Sequence, residues 1–402
     1  MRYAVILCDG MADYPIAEID NKTPMMAANK PVMNALAKNA TQGLATTLYE
    51  DLPKGSDVAN LSVLGFDSHA AYTGRSPIEA LGLQIPLFDN DTIFRLNLVT
   101  LTHNNCDFSE QTILDHSGGK ITSEEAFILL DAVRQEFSND KISFYDGVTY
   151  RHIMTWKDIN YDYTMTPPHD ILGQKIGDYM PKGTYGAQVE AMMRRSYEVL
   201  MAHPLNISRM QHGLEPANCI WLWGEGTKPA LSNFKEKYGV TGSVITAVPL
   251  IQGIARGIGL DVIEVEGATG DYWTNYRGKG QAAAQAITNG DEFLFVHIEA
   301  PDECGHDGDL DLKIKSIEHI DEEILTRVKR ALEQTGEDYK ILIMPDHATP
   351  IAVRTHTIDA IPFMIYDSTK TADNAELFDE ESAKVSGIYY QDAFNIMGDF
   401  IK

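Results

Sequence analysis

Basic residues are scarce in this chain. Lys and Arg number 33 against 58 Asp and Glu, a net charge of −25 over 402 residues. That balance excludes general electrostatic attraction to nucleic acid or to an anionic membrane. By the total alone it also looks unsuited to a phosphorylated substrate. Cysteine is sparse too: Cys8, Cys106, Cys219 and Cys304 form no CxxC pair and no dense framework, which fits a reducing compartment without structural disulfides. No apolar run approaches the roughly 18 residues of a membrane span. The opening MRYAVILCDG enters an apolar strand without the h-region and cleavage site of a secretory leader. The expectation is a cytoplasmic, soluble protein with no nucleic-acid or membrane partner. No Walker-type GxxxxGK(S/T) loop, internal repeat or low-complexity tract is present.

What is there is an ordinary globular composition, 44% apolar and 23% charged, at a length suited to about two to three domains. Short apolar runs alternate with amphipathic stretches, the pattern of an α/β protein. Tyr3–Leu7 (YAVIL), Phe293–Ile298 (FLFVHI) and Lys340–Met344 (KILIM) read as strands buried on both faces. Leu312, Ile317, Ile320, Ile324, Val328 and Leu332 recur at helical spacing from about residue 310 to 334, so 293–344 reads as a βαβ unit on a parallel sheet. The middle differs. Shorter runs at Phe94–Thr102, Lys141–Tyr145 and Val148–Trp156, with one helix over Ser123–Phe137, predict a smaller α+β domain over 71–180. It interrupts a larger domain of 1–70 and 181–402. The turn-like PKGTYG after residue 180 marks its end. A helix over Gln188–Ala202 follows, and Cys219–Trp223 resumes the strand pattern. The acidic stretch Asp373–Ser382 reads as a solvated loop.

Each of the three buried strands is followed by metal-capable groups: Asp9 after the first, Asp302 and His306 after the second, Asp346 and His347 after the third. Carboxyl ends of parallel strands share one edge of a sheet, where ligands bind. These five residues therefore converge despite their separation in sequence. His356, nine residues beyond His347 in RTHT, is a sixth candidate. Mixed carboxylate and imidazole donors suit Zn²⁺ or Mn²⁺ and disfavour Ca²⁺. Their number exceeds the needs of one tetrahedral ion and matches a pair about 3.5–4 Å apart, a phosphoryl-transfer arrangement. Taken singly, an aspartate at a strand end is more often a helix cap; the three strand ends together carry the metal reading. In Gly55-Ser56-Asp57 a glycine lets a tight turn expose the serine hydroxyl, and a cation beside it would make it a competent nucleophile. Locally, the better reading of Ser56 is a cap for a helix starting near Asp57, and spacing does not exclude Ser62.

Ten stretches carry a wider resemblance: CDGMAD at 8–13, GSDVANLSVLGFD at 55–67, YTGRSPIEALG at 72–82, DHSGGKITSEEA at 115–126, GVTYRH at 147–152, PPHDILG at 167–173, WLWGEG at 221–226, PDECGH at 301–306, PDHATP at 345–350 and THT at 355–357. In these the chain resembles the cofactor-independent (2,3-bisphosphoglycerate-independent) phosphoglycerate mutases of the archaeal-type branch, within the alkaline-phosphatase-like metalloenzyme superfamily. The resemblance implies a sheet domain with helices on both faces, interrupted by the inserted domain. It implies Ser56 as a nucleophile that becomes phosphorylated. One metal would be held by Asp9, Ser56, Asp346 and His347, a second by Asp302, His306 and His356. The inserted domain would supply Arg75, His116, Arg151, His152 and His169 as substrate contacts, with Arg95 and Asn97 as weaker candidates. Arg151 suits bidentate contact with a carboxylate or phosphate.

The implied reaction interconverts 3-phosphoglycerate and 2-phosphoglycerate at two divalent ions, Mn²⁺ or Zn²⁺, with closure of the inserted domain excluding water. One departure stands out. Ala59-Asn60 replaces the Gly-His of the GNSEVGH pattern in the bacterial long-form enzymes. The alternatives are a homoserine kinase-like phosphotransferase of the same family and a metal-dependent phosphomonoester hydrolase. The sequence sets no oligomeric state.

Overall fold

β-branched and aromatic side chains dominate the short apolar runs, and both faces of those strands are covered, which is why they stay extended. The computed structural model describes residues 1–159, 165–371 and 376–402. The chain divides into two compact units, residues 1–72 with 230–402, and residues 73–229. In chain order the first unit holds β1 (Arg2–Cys8) and β2 (Ala40–Ala45). The second holds β3 (Asp91–Leu101), β4 (Ile113–Asp115), β5 (Ile142–Val148), β6 (Arg151–Lys157) and β7 (Cys219–Thr227). The first then resumes with β8 (Gly242–Ile245), β9 (Asp261–Ile263), β10 (Phe293–Ile298), β11 (Tyr339–Met344), β12 (Ile361–Asp367) and β13 (Tyr389–Tyr390).

The first unit's sheet runs β13-β2-β12-β11-β1-β10-β8-β9. β1 lies between β10 and β11 and is parallel to both, with Leu7 opposite His297 on one side and Met344 on the other. The carboxyl ends of these three strands therefore share one edge, while β12 and β2 run antiparallel beyond β11. Ala4, Ile6 and Cys8 face a core shared with Ala283, Ile317, Ile324 and Val328. Tyr3 and Phe293, of opposite parity, turn to Phe400 and Phe234. Helices thus cover both faces, as expected of the fold class. The helix expected over 310–334 is continuous in direction but changes winding. A π turn at Ile320–Leu325 separates Leu310–His319 from Thr326–Thr335. It carries Asp321, whose carboxylate accepts the backbone N–H groups of Val32 and Met33.

In the second unit every residue of β3 is buried, because β3 pairs antiparallel with β6 on one side and β7 on the other. Helices Ser123–Phe137 and Gly186–Met201 lay Leu129, Val133, Val189 and Met193 against Phe94, Leu96 and Leu98. That packing carries the unit to residue 229, beyond the expected end at 180. Cys219–Trp223 belongs to this sheet and not to the larger one.

The acidic stretch 373–382 also departs from expectation. Residues 373–375 lie outside the described residues. Beyond them Phe378 is fully buried, Asp379 caps the helix Glu380–Val385 through the Ser382 N–H, and Glu380 accepts from the Asp13 N–H and the Thr23 hydroxyl. Among the described residues no helix is long and apolar enough to cross a membrane.

Candidate metal centre and cationic face

The turn after β1 brings Asp9 over the sheet edge, and its shape requires glycine. Gly10 has φ +62°, and a Cβ there would lie 2.6 Å from Asp302 Cα. Asp9 is fully buried. Its Oδ2 accepts from His297 Nε2 at 2.9 Å, whereas its Oδ1 has no hydrogen-bond partner and sits 3.4 Å from His347 Nε2. Asp346 Oδ2 accepts from Asn60 Nδ2 at 2.8 Å and lies 3.5 Å from His347 Nε2.

Ser56 is the first residue of the helix Ser56–Val63, and Gly55 occupies the capping position with no side-chain cap. The hydroxyl is therefore not spent on capping: Ser56 Oγ lies 3.2 Å from His347 Nε2. Ser62 is fully buried, bonded to Thr47 O and Ser68 Oγ. Asn60, which stands where the long-form enzymes carry histidine, also donates to Ser56 O at 2.9 Å.

A second cluster forms around Asp302. Its Oδ2 is 3.3 Å from His306 Nε2, and its Oδ1 is 3.4 Å from His356 Nε2. Thr349 Oγ1 donates to Oδ1. The His306 and His356 Nδ1 atoms face the carbonyls of Arg354 and Lys54 at 3.0 and 2.7 Å. A carbonyl only accepts, so both Nδ1 carry protons, and a neutral ring would present its Nε2 lone pair to a cation. The two Nε2 atoms lie 3.0 Å apart. Burial alone would raise the Asp302 carboxyl, but the bonds from His306 and His356 outweigh it and hold it far below the usual range. In return, with no cation between them, Nε2 holds a proton for Asp302, which raises His306 to about 9. Burial, with Asp346 and Asp302 nearby, pushes the Asp9 carboxyl well above its usual range.

Ligand atoms of Asp302, His347 and His356 lie within 4.8 Å of one another, as do those of Asp9, His297 and Asp346. Converging imidazole Nε2 atoms, an orphaned buried carboxylate oxygen and three crowded aspartates are the signature of groups that expect cations. The residues fit divalent metal.

The second unit gathers cations of its own. Arg95, nearly buried, bonds Glu79 Oε1 at 2.9 Å and stacks over Trp223 at 4.7 Å. The charges of Arg75 and Arg151 both act on Arg95, and those of His116, Arg95 and Arg75 act on His169. The His169 ring meets both Trp223 and His116 edge-on. Asn97 accepts from Trp223 Nε1 and donates to His116 O. Four of the five expected contact residues, Arg75, His116, Arg151 and His169, thus share one region. His152 does not. Next to Arg151 on β6 it points to the opposite face, buried, with Nδ1 accepting the Gly147 N–H and its ring edge-on to Phe127. Burial lowers that imidazole to about 4.

The family model for 2,3-bisphosphoglycerate-independent phosphoglycerate mutase matches residues 37–206. A Methanosarcina barkeri protein of that name is 44% identical over 404 aligned residues, covering 100% of both chains. The chain belongs to this family. A probable 2,3-bisphosphoglycerate-independent phosphoglycerate mutase from Geobacter sulfurreducens is 44% identical over 399 residues, covering 99% of this chain and 98% of its own. Among solved structures, the cofactor-independent phosphoglycerate mutase of Thermoplasma acidophilum aligns over 100% of this chain and 98% of its own, with a TM-score of 0.70 at 26% identity. A Pyrococcus horikoshii protein reaches 0.78 at 29%, covering 100% and 97%.

Within this member of the phosphoglycerate mutase family, sequence reasoning missed His297, Thr349 and Lys313. His297 had a signal, as the one polar residue in FLFVHI. Lys313 had none: it sits among the surface charges of an amphipathic pattern, yet is fully buried against Asp13.

Proposed function

We propose that the protein interconverts 3-phosphoglycerate and 2-phosphoglycerate through a phosphoserine at Ser56. The observation that carries this is the position of the Ser56 hydroxyl, free of capping and 3.2 Å from His347 Nε2, a nitrogen that itself lies 3.4 Å from Asp9 Oδ1 and 3.5 Å from Asp346 Oδ2. Asp9, Ser56, Asp346 and His347 would hold one divalent ion; Asp302, His306 and His356 would hold the other. Mn²⁺ and Zn²⁺ suit these donors. Such ions lower the pKa of a bound hydroxyl and neutralise charge on phosphoryl oxygens.

The chain's own residues do the rest. Ser56 Oγ forms a bond to phosphorus as the ester P–O bond breaks, and the serine proton ends on the freed substrate hydroxyl. Return of the phosphoryl group to the other hydroxyl regenerates Ser56. Asn60 orients both Asp346 and the first turn of the Ser56 helix. Arg75, His116, Arg151 and His169, with Arg95 and Asn97, supply donors for the substrate carboxylate and phosphate. His152 instead supports the turn between β5 and β6.

Product analysis by phosphorus NMR tests the reading. Metal-loaded protein given 3-phosphoglycerate is expected to yield 2-phosphoglycerate at equilibrium, and Ser56→Ala none. Steady release of inorganic phosphate without the isomer would assign a hydrolase instead.

A further inference from the structure

His297 is the next-to-last residue of β10 (Phe293–Ile298) and its one polar side chain. Its register partner is Leu7, two residues before Asp9. It is fully buried, and both its ring nitrogens are engaged. Val248 N–H donates to Thr246 Oγ1 at 3.0 Å, occupying a lone pair of that hydroxyl. The hydroxyl proton is then free for His297 Nδ1, 3.2 Å away. An ionised Asp9 only accepts, so the proton of the neutral imidazole is on Nε2 and Nδ1 is left to accept from Thr246. Nε2 donates to Asp9 Oδ2 at 2.9 Å. Lys279 Nζ donates to the His297 carbonyl at 3.3 Å, which pins the strand end. The consequence appears on the other carboxylate oxygen: Asp9 Oδ1 is buried, unpartnered and directed at the His347 side of the cluster.

We propose that His297, set in the Nε2–H tautomer by Thr246, is the positioning residue that turns Asp9 Oδ1 toward the cation and is not itself a ligand. This rests on the metal-centre reading of Asp9. Direct ligation by Nε2 would require that atom to lose its proton and its bond to Asp9; ligation by Nδ1 would require displacing Thr246. An outer partner of this kind fixes the orientation and basicity of the carboxylate it holds, and its loss lowers metal affinity about 10–100-fold.

The test combines ring-nitrogen NMR with Zn²⁺ titration by calorimetry. In wild-type protein the His297 ring is expected to show Nε2 protonated and Nδ1 unprotonated, both metal-free and Zn²⁺-loaded. His297→Leu is expected to weaken one Zn²⁺ site about 10–100-fold. His297→Gln, whose amide N–H stands in for Nε2–H, is expected to recover most of that loss. Thr246→Val is expected to give mixed tautomers and an intermediate loss, and it decides the matter if His297→Leu does not fold. Loss of the Nε2 proton on Zn²⁺ loading overturns the proposal. So does a folded His297→Gln that binds no better than His297→Leu. Wild-type protein that takes up no divalent ion would overturn the metal reading and the proposal with it, whereas tight Zn²⁺ binding with a proton-free Nε2 overturns the proposal alone.

Discussion

Replacing Lys313 with methionine removes one partner of a fully buried ion pair. The ammonium donates to Asp13 Oδ2 at 2.8 Å, to Thr349 O at 2.8 Å and to Ala12 O at 3.4 Å. The two side chains are 0% and 1% exposed. One cation thus ties the loop after β1, which carries Asp9, to the loop after β11, which carries Asp346, His347 and Thr349. Breaking a buried pair costs about 3–5 kcal/mol, because the abandoned charge stays buried. Asp13 keeps the N–H groups of Tyr14 and Ile351, at 2.7 and 3.1 Å. The expected loss therefore sits at the lower end, about 3 kcal/mol. Lys313→Met combined with Asp13→Asn removes both charges and is expected to regain at least about half of that loss. Urea unfolding followed by circular dichroism reads the effect as a lower midpoint at unchanged slope. Zn²⁺ titration of the folded variant reads the accompanying loss of affinity. A destabilisation below about 1 kcal/mol, the worth of a surface pair, would refute the claim that this cation holds the two loops.

Other outcomes follow from the same contacts. Ser62→Ala removes a hydroxyl bonded to Thr47 O and Ser68 Oγ; it should lose about 1 kcal/mol of stability and keep phosphoryl transfer in an enolase-coupled assay. Arg151→Ala should raise KM about ten- to a hundredfold, the worth of a charge-assisted hydrogen bond, while His152→Ala should leave KM near wild type and lower the unfolding midpoint. Burial pushes the Glu380 carboxyl up to about 7, so the folded chain holds that proton after the unfolded chain, with an ordinary glutamate near 4.3, has released it. Its contribution makes stability fall as pH rises between about 4.3 and 7. Glu380→Gln should flatten that slope in urea unfolding across the range.

The strands that carry the site were legible because nearly unbroken apolar runs mark strands buried on both faces, and parallel order then places their ends together. Asp9, Asp302 and Asp346 followed from that alone. The hydroxyl of Ser56 did not: the local pattern favours a cap, and only the fold shows Gly55 in the capping position. Lys313, and the partner of the conspicuous His297, were hidden for a different reason, since Asp13 and Asp9 are roughly 300 residues away from them and pairing over such distances leaves no local period. The extent of the second unit was hidden likewise: β7 reads as a strand anywhere, and nothing in CIWLW names β3 as its neighbour. The net charge of −25 takes on a different meaning at this edge. Three of its aspartates face one another where divalent ions would reverse the local sign, and the second unit's arginines offer a small cationic face on an otherwise acidic surface.

Everything proposed for this site turns on whether Ser56 carries the phosphoryl group between the two substrate hydroxyls. Rapid acid quenching of metal-loaded protein mixed with 3-phosphoglycerate, followed by mass spectrometry of the peptide containing Ser56, tests it directly. Phosphoserine is expected at position 56 within the first turnover and none in Ser56→Ala, which is expected to form no 2-phosphoglycerate. Phosphate on another residue, or near-normal isomer formation by Ser56→Ala, would contradict it.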